Sequence, residues 1–297
     1  MKLIKKLGMW GFMAIKSETI GLIEVFVASL LFGFMPILVR FGDNLGPYNL
    51  AFFRVVVASI CVYLFILFSR KIKLAPFKHE RWKLLFFGAL HGFIILGYFF
   101  AINYLTVASA VLLLYSSSIW IVVFSHFILK EKITKRTLFA LAIAFLGVIL
   151  VVSPQNFFFK ESLIGSLSGL AAGVGMGLVY TLSKTFKTYD KVSLTFWQNL
   201  IAIPFTLPLL FIDLPKFTLG DIGLIFLLGS LFTAVPFILI FKGFGKINAQ
   251  KGSIVIMLDI VFSIIFAWII FKETPTIFAL IGGFLILIGT YLITSKQ

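Results

Sequence analysis

Apolar residues along this chain fall into ten long runs separated by short polar segments. The runs cover residues 19–40, 48–69, 84–104, 107–129, 137–153, 163–183, 192–212, 220–241, 250–271 and 277–294. A helix of about 20 residues crosses the hydrocarbon core of a bilayer, and it pairs its own backbone groups where lipid cannot. The strands of a transmembrane barrel would instead alternate apolar and polar residues over about ten positions. The pattern therefore predicts an all-α membrane protein with ten transmembrane helices in a single membrane domain.

The second half of the chain resembles the first half. A shift of 144 residues aligns Gly33 with Gly177, Arg40 with Lys184, and Arg54 with Gln198; a shift of 142 aligns Glu131 with Glu273, and Ser117 with Asp259. Because five helices is an odd number, the second copy must enter the membrane from the opposite side. We therefore expect a 5+5 inverted-topology repeat over residues 19–153 and 163–294, an architecture of secondary transporters that bind substrate near the bilayer midplane.

Composition supports a membrane protein. Of the 297 residues, 61% are hydrophobic and 12% are charged, whereas a soluble protein carries about 25% charged residues. The net charge of +15 would suggest nucleic acid as a partner in a soluble chain, but the basic residues lie in short clusters between the apolar runs, where they set membrane orientation. Cys61 is the single cysteine, which excludes an intramolecular disulfide and a cysteine-based metal cluster. No cofactor or metal is predicted.

The distribution of basic residues predicts the orientation of the helices. If both termini are cytoplasmic, few of the 26 basic residues lie on or near the outer side, namely Arg40, Arg54, Lys160, Lys216 and Lys272. Basic residues in short loops favour the cytoplasmic side. We expect a multi-pass protein of the cell (inner) membrane, with residues 1–18 as a cytoplasmic or interfacial segment that leads into the first helix.

Several motifs resemble one transporter family. They are LLFGFMPILVRF in the first run, LAFFRVVVA in the second, NYLTVASAVLLLYSSS before and within the fourth, and the pair LKEKITKRTLFAL and FKETPTIFAL. The chain is similar over residues 19–294 to the EamA-type, ten-helix members of the drug/metabolite transporter superfamily. The resemblance implies a small-molecule transporter with cytoplasmic termini and alternating access between its halves.

The chain departs from this family at one motif. The family often places a proline thirteen residues before each junction glutamate, and here those positions hold Ser118 and Ile260. The kinks that the resemblance implies in the fourth and ninth helices therefore lack their prolines. Pro36 and Pro236 are candidates for breaks in the first and eighth helices instead, since a proline inside a helix removes a backbone hydrogen bond.

Asp259 is the leading candidate for a functional residue. It lies in the middle of a run that is otherwise apolar or small from Gly252 to Phe271. An ionised carboxylate at the bilayer centre costs about 2.5 to 3.5 kcal/mol on insertion scales, so it should face the interior of the bundle. We expect Asp259 to contact substrate or to couple transport to protons. The alternative is a protonated carboxyl group that bonds to a neighbouring helix and only stabilises the fold.

Small and polar residues accompany Asp259 on two helices. One helical spacing recurs twice: Ser109, Ser116 and Trp120 share a face of the fourth helix, and Gly252, Asp259 and Ser263 share a face of the ninth. We expect both faces, together with Ser117, to line a cavity. Each serine could equally bond to a carbonyl of its own preceding turn.

Further candidates lie at other depths of the membrane. Seven residues could line a substrate path or a vestibule: Glu24, His91, Tyr98, Tyr180, Trp197, Gln198 and Asn199. For Glu24 the alternative is a place at the membrane interface, for His91 a packing role, and for the two amides interhelical hydrogen bonds. Arg54 could bind an anionic group of the substrate, or it could extend to the outer face or pair with Asp43.

These observations together predict a transporter. We expect a secondary transporter for a small polar or amphipathic metabolite, with an amino acid as the first candidate. Two alternatives stay open, a gated channel or lipid scramblase and a membrane-embedded hydrolase. The hydrolase would use one of the serines 116–118 with His91, but the sequence has no Gly-x-Ser-x-Gly motif.

Overall fold

Ten helical spans make up the described part of the molecule. The computed structural model describes residues 2–42, 45–69, 72, 74, 76, 77, 80–152, 162–212 and 218–295, with only the backbone for 2–16 and 219. Six spans are uninterrupted helices: α1 Lys2–Val39, α2 Gly46–Phe68, α3 Arg81–Tyr104, α5 Lys135–Val152, α6 Leu163–Ser183 and α10 Ile277–Thr294. The protein is therefore an all-α, multi-pass membrane protein. Residues 2–16, predicted as an interfacial segment, continue the helix of the first span.

Four spans change helix type or break. Helix α7 runs over Lys191–Thr206 and continues as a 3₁₀ helix over Leu207–Phe211. The interrupted spans are α4 (α4a Val107–Tyr115 and α4b Ser117–Leu129), α8 (α8a Leu219–Gly229, a π-helical turn Ser230–Ala234 and α8b Val235–Lys246) and α9 (α9a Ala249–Val255 and α9b Leu258–Phe271). The π-helical turn of α8 ends two residues before Pro236, whose missing N–H removes an α-helical hydrogen bond.

Helices α4 and α9 break although neither has a proline at the break. The N–H of Ser116 is shared between the carbonyl groups of Leu112 and Leu113, at 3.1 and 3.2 Å. The N–H of Asp259 bonds to the carbonyl of Ile256, three residues earlier, at 3.1 Å. Such shorter-range bonds tighten the turn and redirect the axis. The expectation of a break at Pro36 was wrong, because α1 continues to Val39.

Backbone conformations recur at positions 142 residues apart. Lys130 and Lys272 end α4b and α9b in the left-handed region, both with φ of 58°. Leu105 ends α3 and Ile247 ends α8b in an extended conformation, with φ of −122° and −121°. The chain thus makes the same two turns in each half.

The packing of the helices also recurs five helices apart. Helix α1 packs against α8b and α9b, and α6 packs against α3 and α4. Helix α2 packs against α8a, and α7 packs against α3. The remaining large contacts join α2 to α7 and α5 to α10. In each of these pairs the two helices occupy the same position in the two halves of the chain. The central helices are therefore α1, α4, α6 and α9, and α5 and α10 lie together at one side.

Glycine allows α5 and α10 to approach closely. A Cβ atom on Gly147 would lie 2.5 Å from the carbonyl oxygen of Gly282, and one on Gly282 would lie 2.5 Å from that of Gly147. Gly289 lies equally close to the backbone of Ala140. Small residues at such crossings replace the hydrophobic driving force that lipid does not supply between helices.

The two ends of the bundle differ in the ion pairs that they carry. One end, called the basic face below, carries the ion pairs Lys246–Glu24, Lys251–Glu18 and Lys184–Glu131. The opposite face carries the Arg40–Glu273 pair, 2.7 Å between Nη2 and Oε1. Lys160 and Lys216, predicted for the outer side, and Asp43 lie outside the described residues.

Candidate functional site

Asp259 lies at the break of α9, as the second residue of α9b. Its Oδ1 accepts a hydrogen bond from the N–H of Ile260 at 2.7 Å. The same N–H also donates to the carbonyl of Met257 at 3.2 Å, and the dipole of α9b favours negative charge in its first turn. The break therefore gives an intramembrane carboxylate a favourable position that an unbroken helix would not provide.

Tyrosines surround the Asp259 carboxylate. The phenol of Tyr115, the last residue of α4a, interacts electrostatically with the carboxylate. Tyr180 from α6 interacts with both groups, and Tyr98 from α3 interacts with Tyr115. Protein encloses Asp259, yet part of its surface is accessible to water, as are parts of Tyr115 and Tyr98. Each of these three side chains is therefore partly accessible near the breaks of α4 and α9.

The predicted serines have different environments. Ser116 donates to the carbonyl of Leu113 at 2.6 Å, and Ser263 donates to that of Ile260 at 2.8 Å. Both therefore bond within their own helix, the alternative considered for each serine. Ser117 is buried. Ser118 donates to the carbonyl of Ser253 at 3.0 Å and so joins α4b to α9a.

Two glycines hold α1 and α6 against the broken helices. A Cβ atom on Gly33 of α1 would lie 2.6 Å from the carbonyl oxygen of Asp259 and 2.6 Å from Cβ of Phe262. A Cβ atom on Gly177 of α6 would lie 2.6 Å from Cβ of Trp120 and 2.9 Å from the carbonyl oxygen of Ser117. The backbone on either side of the site is thus fixed by direct helix contact.

Arg54 lies inside the bundle rather than at its surface. Its Nη1 lies 3.3 Å from Sδ of Met35, and its charge interacts with Tyr98 and His91. Among the described residues no carboxylate lies within 4 Å of the guanidinium, and its Nε is buried without a hydrogen-bond partner. The predicted pairing with Asp43 falls outside the described residues. Tyr98 is therefore a neighbour both of the Arg54 cation and of the group around Asp259.

His91 and Tyr180 lie against the aromatic core. His91 contacts the edge of Phe237 at 5.0 Å between ring centroids, and its Nδ1 has no hydrogen-bond partner in the described part of the chain. Tyr180 contacts Phe237 at 6.5 Å and Phe244 at 5.7 Å. Both residues are nearly fully buried, so they form the wall behind the site.

The remaining predicted residues lie away from Asp259. Gln198 and Asn199 are fully buried in α7, and within the described residues neither amide atom of Gln198 has a hydrogen-bond partner. Trp197 packs against Phe77, 5.2 Å between ring centroids. Glu24 pairs with Lys246 at the basic face. The structure thus brings Asp259, Tyr98, Tyr180 and the Arg54 region together, and it does not bring the α7 residues to them.

Tyr115 is a residue of the site that the sequence pattern does not predict. The residue precedes three serines in an apolar run, and nothing in the local pattern distinguishes it from the other seven tyrosines. Its place two residues before Ser117, the position that matches Asp259, was the available signal. The Arg40–Glu273 and Lys184–Glu131 pairs were missed in the same way, although the repeat aligned each of their members.

Two apolar pockets lie elsewhere. One of 350 Å³ is lined by residues of α2, α3, α6 and α7, among them Tyr48, Phe93 and Asn103. Another of 280 Å³ is lined by residues of α2, α7 and α8, among them Cys61 and Lys242. Neither pocket includes Asp259 or Arg54, so neither is the candidate site.

Comparison with known proteins identifies the family. The profile of the EamA-like transporter family matches this chain twice, over residues 19–153 and 163–295. The chain belongs to the EamA-like transporter family. It is accordingly a membrane protein of a transporter family rather than of an enzyme family.

Several known proteins share nearly the full length of the chain. An uncharacterized transporter of Archaeoglobus fulgidus is 27% identical, over 88% of this chain and 92% of that protein. The pseudopaline exporter CntI of Pseudomonas aeruginosa is 24% identical over 91% and 94%. The S-adenosylmethionine uptake transporter of Rickettsia bellii is 24% identical over 86% of each chain. A solved crystal structure has a TM-score of 0.80 and 17% identity, covering 92% of this chain and 97% of that one, which shows the shared fold.

Proposed function

We propose that this EamA-like protein is a secondary transporter that moves a small polar or amphipathic metabolite by alternating access. The observation that carries the proposal is the position of Asp259. A carboxylate is costly in a membrane, and this one is partly accessible at the break of α9, beside Tyr115 at the break of α4. Broken helices that present polar groups near the membrane centre are how many transporters bind their substrates.

An inverted 5+5 repeat is part of the proposal. Three features support it: the recurring helix ends at Lys130 and Lys272, the recurring helix contacts, and the breaks in both α4 and α9. Two ion pairs are a fourth supporting feature, because Arg40–Glu273 and Lys184–Glu131 join aligned positions at opposite faces. If the two halves exchanged their conformations, the site would open first to one face and then to the other.

We assign the basic face to the cytoplasm of the cell membrane. The face carries the lysines of three ion pairs as well as Lys83 and Lys191, and positive charge in short loops favours the cytoplasmic side. In this orientation both termini are cytoplasmic.

The substrate proposed first is an amino acid. Asp259 offers an anion to an ammonium group, and Arg54 offers a cation to a carboxylate. Tyr98 interacts with Arg54 and with Tyr115, the neighbour of Asp259. Proton coupling through Asp259 is compatible with the same geometry, because a carboxyl group can release its proton when a cationic group arrives. Relatives named for pseudopaline export and for S-adenosylmethionine uptake support a small metabolite as substrate.

Counterflow in proteoliposomes tests the proposal. Vesicles loaded with an unlabelled amino acid should accumulate the labelled one transiently, with a rate that saturates, because one site must be occupied on each passage. A thermal-shift screen of metabolites selects the amino acid, since a ligand that binds the folded state raises its melting temperature. Linear uptake without counterflow would indicate a channel or a scramblase, and would refute the proposal.

Arg54→Gln should weaken transport of substrates that carry a carboxylate. A hydrogen bond to a charged group contributes about 1.5 to 3 kcal/mol, so affinity should fall about tenfold or more. The corresponding amide or decarboxylated amine should keep its affinity, so it serves as the control ligand. Competition assays with the two ligands provide the measurement. An equal loss for both would mean that Arg54 only supports the fold.

A further inference from the structure

Glu131 connects four helices at the basic face. Its Oε1 lies 2.7 Å from Nζ of Lys184, at the end of α6. The same carboxylate accepts hydrogen bonds from the N–H groups of Ala249 and Gln250, at 3.1 and 3.4 Å, where α9a begins. Lys184 also donates to the carbonyl of Ile247 at the end of α8b, at 2.7 Å. Glu131 at the end of α4 is thereby fixed to α6, α8 and α9.

The aligned carboxylate at the opposite face lacks most of these contacts. Glu273 pairs with Arg40, whose guanidinium lowers the pKa of this carboxyl group. Positions aligned with Ala249 and Gln250 are Val107 and Ala108, at the start of α4a. In the described part of the chain their N–H groups donate no hydrogen bond to Glu273, and the side chain of Thr106 caps this helix instead.

Burial follows the same asymmetry. The Lys184 and Glu131 side chains are 16% and 11% exposed, whereas Arg40 and Glu273 are 51% and 50% exposed. Ala249 is fully buried, and its counterpart Val107 is 60% exposed.

Helix packing agrees with this difference. Helix α9a packs against α4b near the basic face, but among the described residues α4a and α9b have no comparable contact toward the opposite face. Helices α4 and α9 are therefore in contact near the basic face and separated toward the opposite one.

We propose that Glu131 and Glu273 are alternating latches. In the present state Glu131 binds the start of α9a and closes the basic face. In the other state Glu131 releases these N–H groups, and Glu273 binds the N–H of Val107 at the start of α4a and closes the opposite face. The proposal rests on the inverted repeat and alternating access proposed above, and it adds the two groups that hold each state.

Each latch can be broken by a proline that the helix itself tolerates. Ala249 and Val107 are the first residues of α9a and α4a, where proline fits because the N–H there has no partner within the helix. The preceding residues, Asn248 and Thr106, have ψ of 137° and 150°, which suits a following proline. Ile277→Pro, at the first residue of α10 and outside both latches, is the matched control.

Distances between spin labels report the state of each face. In a Cys61→Ser background, one pair replaces Lys132 and Asn248 at the basic face. The other pair replaces Tyr104 and Thr274 at the opposite face, and all four positions are exposed. The starting protein should give a short distance for the first pair and a long one for the second.

The two prolines should shift the populations in opposite directions. Ala249→Pro should raise the state with a separated basic face about tenfold, the usual effect of one hydrogen bond to a charged group. Val107→Pro should lower that state by a similar factor and leave the main distances unchanged. Ile277→Pro should change neither pair. Glu131→Gln should shift the populations in the same direction as Ala249→Pro, and Glu273→Gln in the same direction as Val107→Pro. These two variants replace the prolines if a proline variant does not fold.

The latch and the transport proposal fail differently. Unchanged distances, or the same direction of shift for both prolines, would refute the latches even if the wild-type protein shows saturable counterflow. Absence of counterflow in the wild-type protein would refute the transport proposal, even if the labels report the expected shifts.

Discussion

Asp259→Asn should abolish most transport while leaving the fold intact. Asparagine has nearly the same shape and can still accept the bond from the N–H of Ile260, 2.7 Å away in the wild-type protein. It cannot take a negative charge, so it cannot pair with a cationic substrate group or carry a proton. The loss of a charge-assisted hydrogen bond, about 1.5 to 3 kcal/mol, corresponds to as much as a hundredfold in affinity.

The measurement is the rate of counterflow against substrate concentration at several pH values. Asp221→Asn is the matched control, because Asp221 is also a buried acid but serves the capping box that starts α8a. Its replacement should affect thermal stability and not the substrate affinity. If Asp259→Asn kept both the affinity and the pH dependence of the wild-type protein, Asp259 would have only a structural role.

Gly33→Ala should destabilise the protein more than an ordinary alanine substitution. The new methyl group would lie 2.6 Å from the carbonyl oxygen of Asp259 and from Cβ of Phe262, so α1 would have to move away from α9b. Overpacking of this kind costs about 1 to 3 kcal/mol, and contact with backbone places the effect near the upper end. We expect Gly177→Ala to behave alike, because its methyl group would meet Trp120 in the same way.

Gly223→Ala provides the control for these variants. Nothing lies within 4 Å of a Cβ atom at Gly223, which lies in α8a. Alanine should therefore be neutral or stabilising there, because it favours a helix over glycine by about 1 kcal/mol. Thermal unfolding in detergent measures the stability of all three glycine variants. Equal melting temperatures for Gly33→Ala and Gly223→Ala would contradict the close contact of α1 with α9b.

The sequence was sufficient for the fold class because each helix must cover a bilayer by itself. Ten apolar runs of the required length predict ten spans whatever their packing, and the structure and the family confirm this prediction. Asp259 could be singled out for the same reason, since one acid in a long apolar run is costly. The inverted repeat and the identity of the substrate stay predictions.

The breaks in α4 and α9 could not be predicted from the residues themselves, because no residue type marks them; only the family resemblance implied kinks in these helices. The turn at Ser116 arises from a shared N–H and from contacts with α6, which are tertiary properties. The role of Tyr115 depends on that turn and was missed with it. Gln198 and Asn199 were candidates because amides need partners in lipid, but only packing decides which way a helix faces, and α7 turns both inward.

The interlocked backbones of α5 and α10 have a consequence for motion. Gly147 and Gly282 each leave no room for a methyl group between the two helices, so one cannot slide along the other without losing this fit. We expect α5 and α10 to move together as one rigid unit while the remaining eight spans rearrange around them. A rigid tag or antibody fragment attached to these two helices would report how they tilt relative to the other spans without impeding the movement.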